Sequence, residues 1–373
     1  YHNLFGSLEC SGLASFSIFH PDEYMQHTNK EFFTPLMFEI FRVKPDVIIA
    51  TWYSTNILEL FKQVREKIGV PIIALWWDSV TQMHMAEAFL PYVSFNIVVD
   101  SSTAYLVSSH PEKYLSLWSP QDPRIFSNSN LERNIDVSFL GTMFGHPYRN
   151  KCINALKNEG IKVLQTGGQR ESRIEIKDYA DIYRHSKIVL NFSETPHGLV
   201  QLKGRVFEAA FSGAMLLESD NIEISKKFLS NLEYIPFINE EDLVIKVDYY
   251  LKHEDELTLI ASAGQQRSEQ DYSATRFWNA VFKRVKGIFQ HKVYLPESEK
   301  RISWLRNIVS GRPVAIMASG PSISELESRI SEIEGIDICW FGFNTFSQEK
   351  HILSQIGEQM DLYMDSCREN IPM

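Results

Sequence analysis

The 373-residue sequence predicts an α/β protein: two doubly wound parallel sheets facing a crevice, with a partial third α/β unit behind them. Three observations predict it. Short, continuous apolar runs alternate with segments of helical spacing, as in a parallel sheet covered on both faces. The alternation halts at the Pro-rich polar stretch Ser119-Pro120-Gln121-Asp122-Pro123 and restarts at Ile135. Composition is that of an ordinary globular protein, 44% apolar and 23% charged, and the length suits two domains and part of a third.

The elements follow in order. Ser15 to His20 reads as a strand ended by Pro21. Lys30–Phe41 has helical apolar spacing at Phe32, Phe33, Leu36, Met37, Ile40 and Phe41. Strand Asp46–Thr51, helix Thr55–Ile68, strand Pro71–Trp77, a helix around Met83–Leu90 and strand Phe95–Val99 come next, then a short strand, Tyr114–Trp118. The second unit opens with strand Ile135–Leu140 and its turn Gly141-Thr142. Helix Pro147–Glu159, strand Ile161–Leu164 with the turn Gly167-Gly168, and helix Ile174–His185 follow. Strand Ile188–Phe192, helix Val206–Ser212 stopped by Gly213, strand Ala214–Leu217 and strand Tyr234–Ile238 complete the sheet. A helical tract over Glu240–Lys286, broken near Gly264, is expected to pack its last helix back on the first domain. The third unit has a helix at Ile302–Val309, a strand at Pro313–Met317, a turn at Ala318–Ser322, a helix at Ile323–Ile330 and a strand at Ile336–Phe341. The domains are 1–122 and 123–290, each Rossmann-like, and 291–373, a linker and an incomplete α/β unit. Tyr1-His2-Asn3-Leu4-Phe5 reads as the inside of a helix, so the chain is expected to be cut at both ends.

Charge and cysteines narrow the function classes. A net charge of −10 disfavours a nucleic-acid binder. An acidic protein still holds an anion in a locally basic pocket. No apolar run is long enough to span a bilayer; the best, Ile68 to Trp77, is interrupted by Pro71. Cys10, Cys152, Cys339 and Cys367 form no C-x-x-C pair and read as reduced thiols of a cytoplasmic protein.

The most informative stretch is Lys187–Ser219. A buried-type strand leads into the loop Ser193–Gly198. The basic turn Lys203-Gly204-Arg205 then enters a small-residue helix containing Glu208. Such a step gathers cations, backbone amides and one carboxylate at a single corner. Phosphate needs the first two and a ribose diol the third, so the corner reads as a nucleotide-diphosphate site. Cations at a helix start are mildly unfavourable without an anion partner. Glu208 also has a plain reading, as a first-turn glutamate facing the helix dipole. Gly141 and Thr142 lie on the same crevice side, where glycine allows close approach to phosphate. His197 and Gly198 are candidates for donor contact, a solvated loop being the alternative for His197. Trp52-Tyr53 and Trp76-Trp77, at strand ends, are candidates for stacking on a sugar.

These residues resemble a known family. Asp136 to Thr142 matches its D-V-S-F-L-G-T strand, with Arg149 shortly after. Leu202-Lys203-Gly204-Arg205-Val206-Phe207-Glu208-Ala209, followed by Gly213-Ala214, matches L-K-x-R-x-F-E-A-x-x-x-G-A. Tyr249-Tyr250-Leu251, Lys44-Pro45-Asp46 and Trp77-Asp78 match further segments. The pattern resembles the CgeB-like (spore-maturation) glycosyltransferases, related to group 1 and of GT-B architecture, over roughly residues 1–290. The resemblance implies transfer of a sugar from a nucleotide-sugar donor to a glycan, lipid-linked or protein acceptor, with no cofactor and no essential metal. It implies an acceptor domain at 1–122 and a donor domain at 123–290. No D-x-D pair ends a strand. The E-x7-E spacing of group 1 transferases is broken: Glu208 matches the second glutamate, but Val200 stands at the first, and Glu194 in the same loop is the substitute. If the enzyme inverts, it needs a general base. Asp78 is the first candidate, with a helix cap as its alternative, and His20 the second, with a plain turn histidine as its alternative. The sequence Ala318-Ser319-Gly320-Pro321-Ser322-Ile323 resembles the opening of sialyltransferase-like and motility-accessory-factor-like domains. Two other readings stay open: a nucleotide-sugar epimerase or hydrolase on the same fold, and a non-catalytic binding or scaffold module.

Overall fold

The structure is a computed structural model that describes residues 2–21, 33–51, 57–100, 110–129, 131–167, 174–195, 198–290, 311–318, 338–343 and 362–364. It divides into two compact units, Tyr1–Tyr294 and Leu295–Met373.

The first unit contains two parallel sheets. Strands β1 (Ile48–Ala50), β2 (Ile72–Trp76), β3 (Phe95–Val98) and β4 (Tyr114–Ser116) lie side by side in that order. Strands β5 (Ile135–Leu140), β6 (Val163–Thr166), β7 (Ser186–Asn191), β8 (Met215–Ser219) and β9 (Ile235–Phe237) form the other sheet, in the order β6-β5-β7-β8-β9. Order reverses between β5 and β7, the switch point where doubly wound sheets open a ligand crevice at their carboxyl ends. The central strands β2, β3, β7 and β8 are mostly buried along their length, which explains their continuous apolar runs. The predicted fold class is therefore the observed one.

The helices are α1 (Ser7–Ser11), α2 (Phe33–Val43), α3 (Ile57–Gln63), α4 (Ser79–Phe89), α5 (Pro147–Asn158), α6 (Ile176–His185), α7 (Arg205–Phe211), α8 (Ile222–Ser225), α9 (Glu240–Lys252), α10 (Glu254–Asp271) and α11 (Ala274–Gln290). As expected, α11 returns to the first sheet. Its Phe277, Trp278, Val281 and Val285 pack with Ile73, Leu75, Phe95 and Ile97, and Trp278 Nε1 donates to Ser7 Oγ at 2.9 Å. That face buries several large apolar side chains, each contributing about 1.5–3 kcal/mol.

Two expectations are corrected. Ser15–His20 is not a strand: its alternation suits one, but among the described residues no neighbouring strand supplies a hydrogen-bonded ladder, and the segment runs irregularly. The helical tract does not break at Gly264, which lies inside α10; it breaks at His253 and at Tyr272-Ser273. Gly264 is there for closeness, since a Cβ would collide with the carbonyl of Glu233. The α8 turn was not expected; Asn221 caps it, accepting from the amides of Glu223 and Ile224. The Pro-rich stretch at 119–122 is buried.

In the second unit, β10 (Val314–Ala318), β11 (Cys339–Phe343) and β12 (Leu362–Met364) form a parallel sheet in that order. The helices expected at 302–309 and 323–330, and the rest of the 318–322 turn, lie outside the described residues.

Candidate functional site

The segment linking β7 to α7 crosses the crevice and touches both halves of the first unit. Leu202 donates its amide to Asp100 Oδ1 at 2.8 Å. Gln201 Nε2 donates to Asp78 Oδ1 and, at 3.4 Å, to the Trp77 carbonyl. Lys203 Nζ lies 3.6 Å from Asp78 Oδ1. A cavity of about 700 Å³ opens beside this segment, lined in part by Asp78, Thr142, His146, Arg149, Tyr179, Lys203, Arg205 and Glu208.

Its floor is cationic. Arg205 donates Nε to Asn191 Oδ1 at 2.8 Å and one terminal nitrogen to the Leu140 carbonyl at 2.9 Å. Its guanidinium lies 5.4 Å from the Phe139 ring centroid. The other terminal nitrogen bonds to no described residue. Asn191 is itself clamped, since its Nδ2 donates to buried Glu218. The chain Glu218–Asn191–Arg205 therefore fixes the guanidinium from behind. Gly141 makes room for it: a Cβ there would collide with the Arg205 guanidinium and sit 3.0 Å from Phe139.

Arg149 is the second cation. Only 4% exposed, it donates to the carbonyls of Thr142 at 3.1 Å and Phe192 at 3.2 Å, while its Nε has no hydrogen-bond partner. Burial, with Arg205 close by, pushes its pKa down to about 10. Burial likewise holds Lys203 below the ordinary lysine value; Asp78 opposes this, and Arg205 and Arg149 add to it. His146 is lowered by burial and by Arg149, Lys203 and Arg205. Four basic groups thus face one partly desolvated cavity, each disfavouring the others' charge. An anion between them relieves that cost.

Glu208, one turn into α7, is 8% exposed. One carboxylate oxygen accepts from Tyr179 Oη at 2.7 Å and the other from Asn3 Nδ2 at 2.9 Å. Burial raises its pKa despite these two donors and Arg205. Each oxygen keeps a lone pair for a further donor.

Among the residues singled out from the sequence, the structure gathers Asp78, Thr142, Lys203, Arg205 and Glu208 on the cavity, with Gly141 directly behind. The expected amides are mostly engaged: those of Val206, Phe207 and Glu208 donate to the carbonyls of Lys203 and Gly204. The groups left to meet an anion here are therefore mainly side chains. Asp78 flanks α4 but makes no side-chain cap; its carboxylate turns across the crevice instead. Glu194 and Gly198 lie in the outer loop, both exposed, with Glu194 bridged to Val200, and neither lines the cavity. His20 sits partly buried outside the cavity lining. His197, Trp52 and Tyr53 are outside the described residues. Trp76 is a core residue, donating to Asn96 Oδ1 at 2.8 Å.

The sequence did not assign roles to Arg149, His146, Tyr179, Gln201 or Asn3. Arg149 carried a signal, being part of the motif that follows β5. Asn3 and Tyr179 carried none, since tertiary folding alone brings positions 205 and 29 residues away in sequence to Glu208.

Comparison with known structures identifies the fold. Over 68% of this chain and 82% of the other, the fold superposes on HepE from Anabaena in complex with UDP and glucose, at a TM-score of 0.53 and 11% identity. HepE with UDP-glucose gives 0.52 at 10% identity over 74% and 85%. TarM from S. aureus, as a point mutant with Fondaparinux, alpha-GlcNAc-glycerol and UDP, gives 0.52 at 10% identity over 69% and 59%. The two-sheet fold is that of GT-B glycosyltransferases. Residues 134–282, which include β5 to β9 and the cationic floor, match the family described as Glycosyl transferase-like, so the chain carries a glycosyltransferase family domain. No curated protein sequence matches the chain significantly. Among the described residues no helix is long and apolar enough to cross a membrane.

Proposed function

We propose that this protein transfers a sugar from a UDP-sugar to an acceptor hydroxyl, with residues 123–290 binding the donor and 1–122 the acceptor. One observation carries the reading: Arg149, Lys203 and Arg205 converge on a cavity whose other lining includes a buried glutamate and, across the crevice, Asp78. UDP, bound in the complexes of HepE and TarM, supplies the matching ligand chemistry.

In this reading Arg205 and Arg149 hold the diphosphate and Glu208 accepts from the ribose hydroxyls. During transfer the bond from the anomeric carbon to the phosphate oxygen breaks, and its electron pair leaves on the diphosphate. Arg149, Lys203 and Arg205 stabilise that charge. The acceptor oxygen bonds to the anomeric carbon and its proton passes to Asp78. Lys203 serves both ends. Paired with Asp78 at 3.6 Å, it is drawn to the diphosphate when donor binds, which leaves Gln201 as the partner of Oδ1 and the carboxylate able to take the proton. Neutralisation by side chains makes the chemistry metal-independent. The strand and α7 motifs support a CgeB-like member of the family. The three parallel strands of the second unit are in keeping with the start of a sialyltransferase-like domain.

Calorimetric titration with UDP, GDP, CMP and ADP, alongside Glu208→Ala, tests the proposal. Micromolar binding of UDP that is lost in the variant is expected. Absence of binding to all four nucleotides contradicts the reading.

A further inference from the structure

Three cavities of the first unit follow one another, each sharing wall residues with the next. The cationic cavity shares Asp78, Lys203 and Gly204 with a neighbour of about 320 Å³. That neighbour shares Leu4, Phe5 and Thr51 with a third cavity of about 650 Å³ beside β1. The third differs in chemistry. Its walls come from both apolar clusters around β1: Leu60 and Phe61 on one side, Trp278 and Phe282 on the other. Its size lies within the roughly 300–1,000 Å³ of ligand pockets. Native cores close-pack and do not keep apolar space of this size for structural reasons.

A second observation concerns its surroundings. Leu13, Phe16 and Val43 line this cavity and are also exposed, at 42%, 41% and 37%. Phe38 and Phe41, on the α2 helix that contributes to the wall, are 69% and 59% exposed. Large apolar side chains gathered around an apolar cavity mark an interaction site, and here the neighbouring cavities bring that apolar surface next to the polar crevice. The Phe16 ring stacks on Phe5, at 6.1 Å between centroids, and Phe5 borders the middle cavity as well.

We propose that the acceptor is an amphipathic molecule, with its hydroxyl-bearing head at Asp78 and an alkyl or acyl chain running past Leu4 and Phe5 into the apolar cavity beside β1. The proposal rests on the transferase reading of the crevice. The order of the cavities sets the order of the ligand: cations for the leaving diphosphate, a carboxylate for the head, apolar walls for the chain. A glycan acceptor uses the first two and leaves the third without a role.

The test uses the full chain and alkyl β-glucosides of increasing chain length, below their micelle concentrations, with UDP titrated separately. Binding is read by calorimetry and by the part of the tryptophan quenching by a chain brominated at its end that Trp278→Phe removes. Affinity is expected to rise about fourfold per methylene, the equivalent of ~0.8 kcal/mol, until the cavity is filled. Ala14→Trp, at an exposed position on the cavity wall, is expected to remove the chain-length dependence and leave UDP affinity unchanged. Ile18→Trp, also on the wall, is the second blocking variant. UDP binding with no chain-length dependence, or chain-length dependence unmoved by both variants, overturns the acceptor assignment and leaves the donor reading standing. Chain-length dependence without UDP binding overturns the donor reading, and the acceptor assignment with it.

Discussion

Arg205→Ala removes a cation of the crevice that is held on two sides. The wild-type guanidinium spends two nitrogens on Asn191 and Leu140, at 2.8 and 2.9 Å, which aims the third at the cavity. The variant therefore loses one charge-assisted contact to the diphosphate, about 1.5–3 kcal/mol, or a ~10- to 150-fold weaker Kd for UDP. It also strips the partner from Asn191 Oδ1, on a fully buried side chain, at about 1–3 kcal/mol of stability. Calorimetry at low and high salt separates the two effects, with thermal unfolding as the control. The wild-type affinity should fall with salt, and the variant's less steeply. Arg205→Lys keeps the charge but not the fork and should fall between the two. A variant that unfolds at lower temperature yet binds UDP within threefold of wild type refutes the assignment of Arg205 to the diphosphate.

Other outcomes follow from the same geometry. Gly141→Ala pushes a Cβ into the Arg205 guanidinium and should both weaken UDP binding and lower the urea midpoint by loosening its hold on Asn191 and Leu140, measured by calorimetry and denaturation. Gly264→Ala, outside the lining of the crevice cavities, should cost about 1–3 kcal/mol in urea unfolding through its clash with the Glu233 carbonyl, and leave UDP affinity unchanged. Glu208 has a raised folded pKa, so the folded state holds its proton more tightly than the unfolded chain. Its contribution is present at low pH and lost as pH rises through the folded value. Glu208→Gln should therefore gain stability relative to wild type as pH rises above the ordinary glutamate range, about pH 4, and lose UDP affinity, as read by urea unfolding and calorimetry.

Much of this was legible before folding. Buried parallel strands announce themselves as continuous apolar runs, and β5, β7 and β8 fall within two residues of their predicted starts. Arg205, Lys203 and Glu208 were legible because one strand–turn–helix step carries them all. Segment 15–20 misled because alternation reports a strand's faces and not whether a neighbour exists to pair with it. Gly264 misled because a glycine kept for close packing looks the same in sequence as one that ends a helix. The partners of Glu208 were not legible, since Asn3 and Tyr179 reach it only through the docking of the N-terminal turn and α6. The apolar cavity escaped notice for a similar reason: its wall residues read as ordinary core.

The most direct test of the central claim compares UDP, UMP and uridine on the wild-type protein by calorimetry. If Arg149, Lys203 and Arg205 grip a diphosphate, affinity should fall in that order, with UDP at least ~100-fold tighter than uridine and the difference shrinking with salt. Equal affinities for UDP and uridine would contradict the account, because the cations would then contribute nothing to the ligand they are assigned to hold.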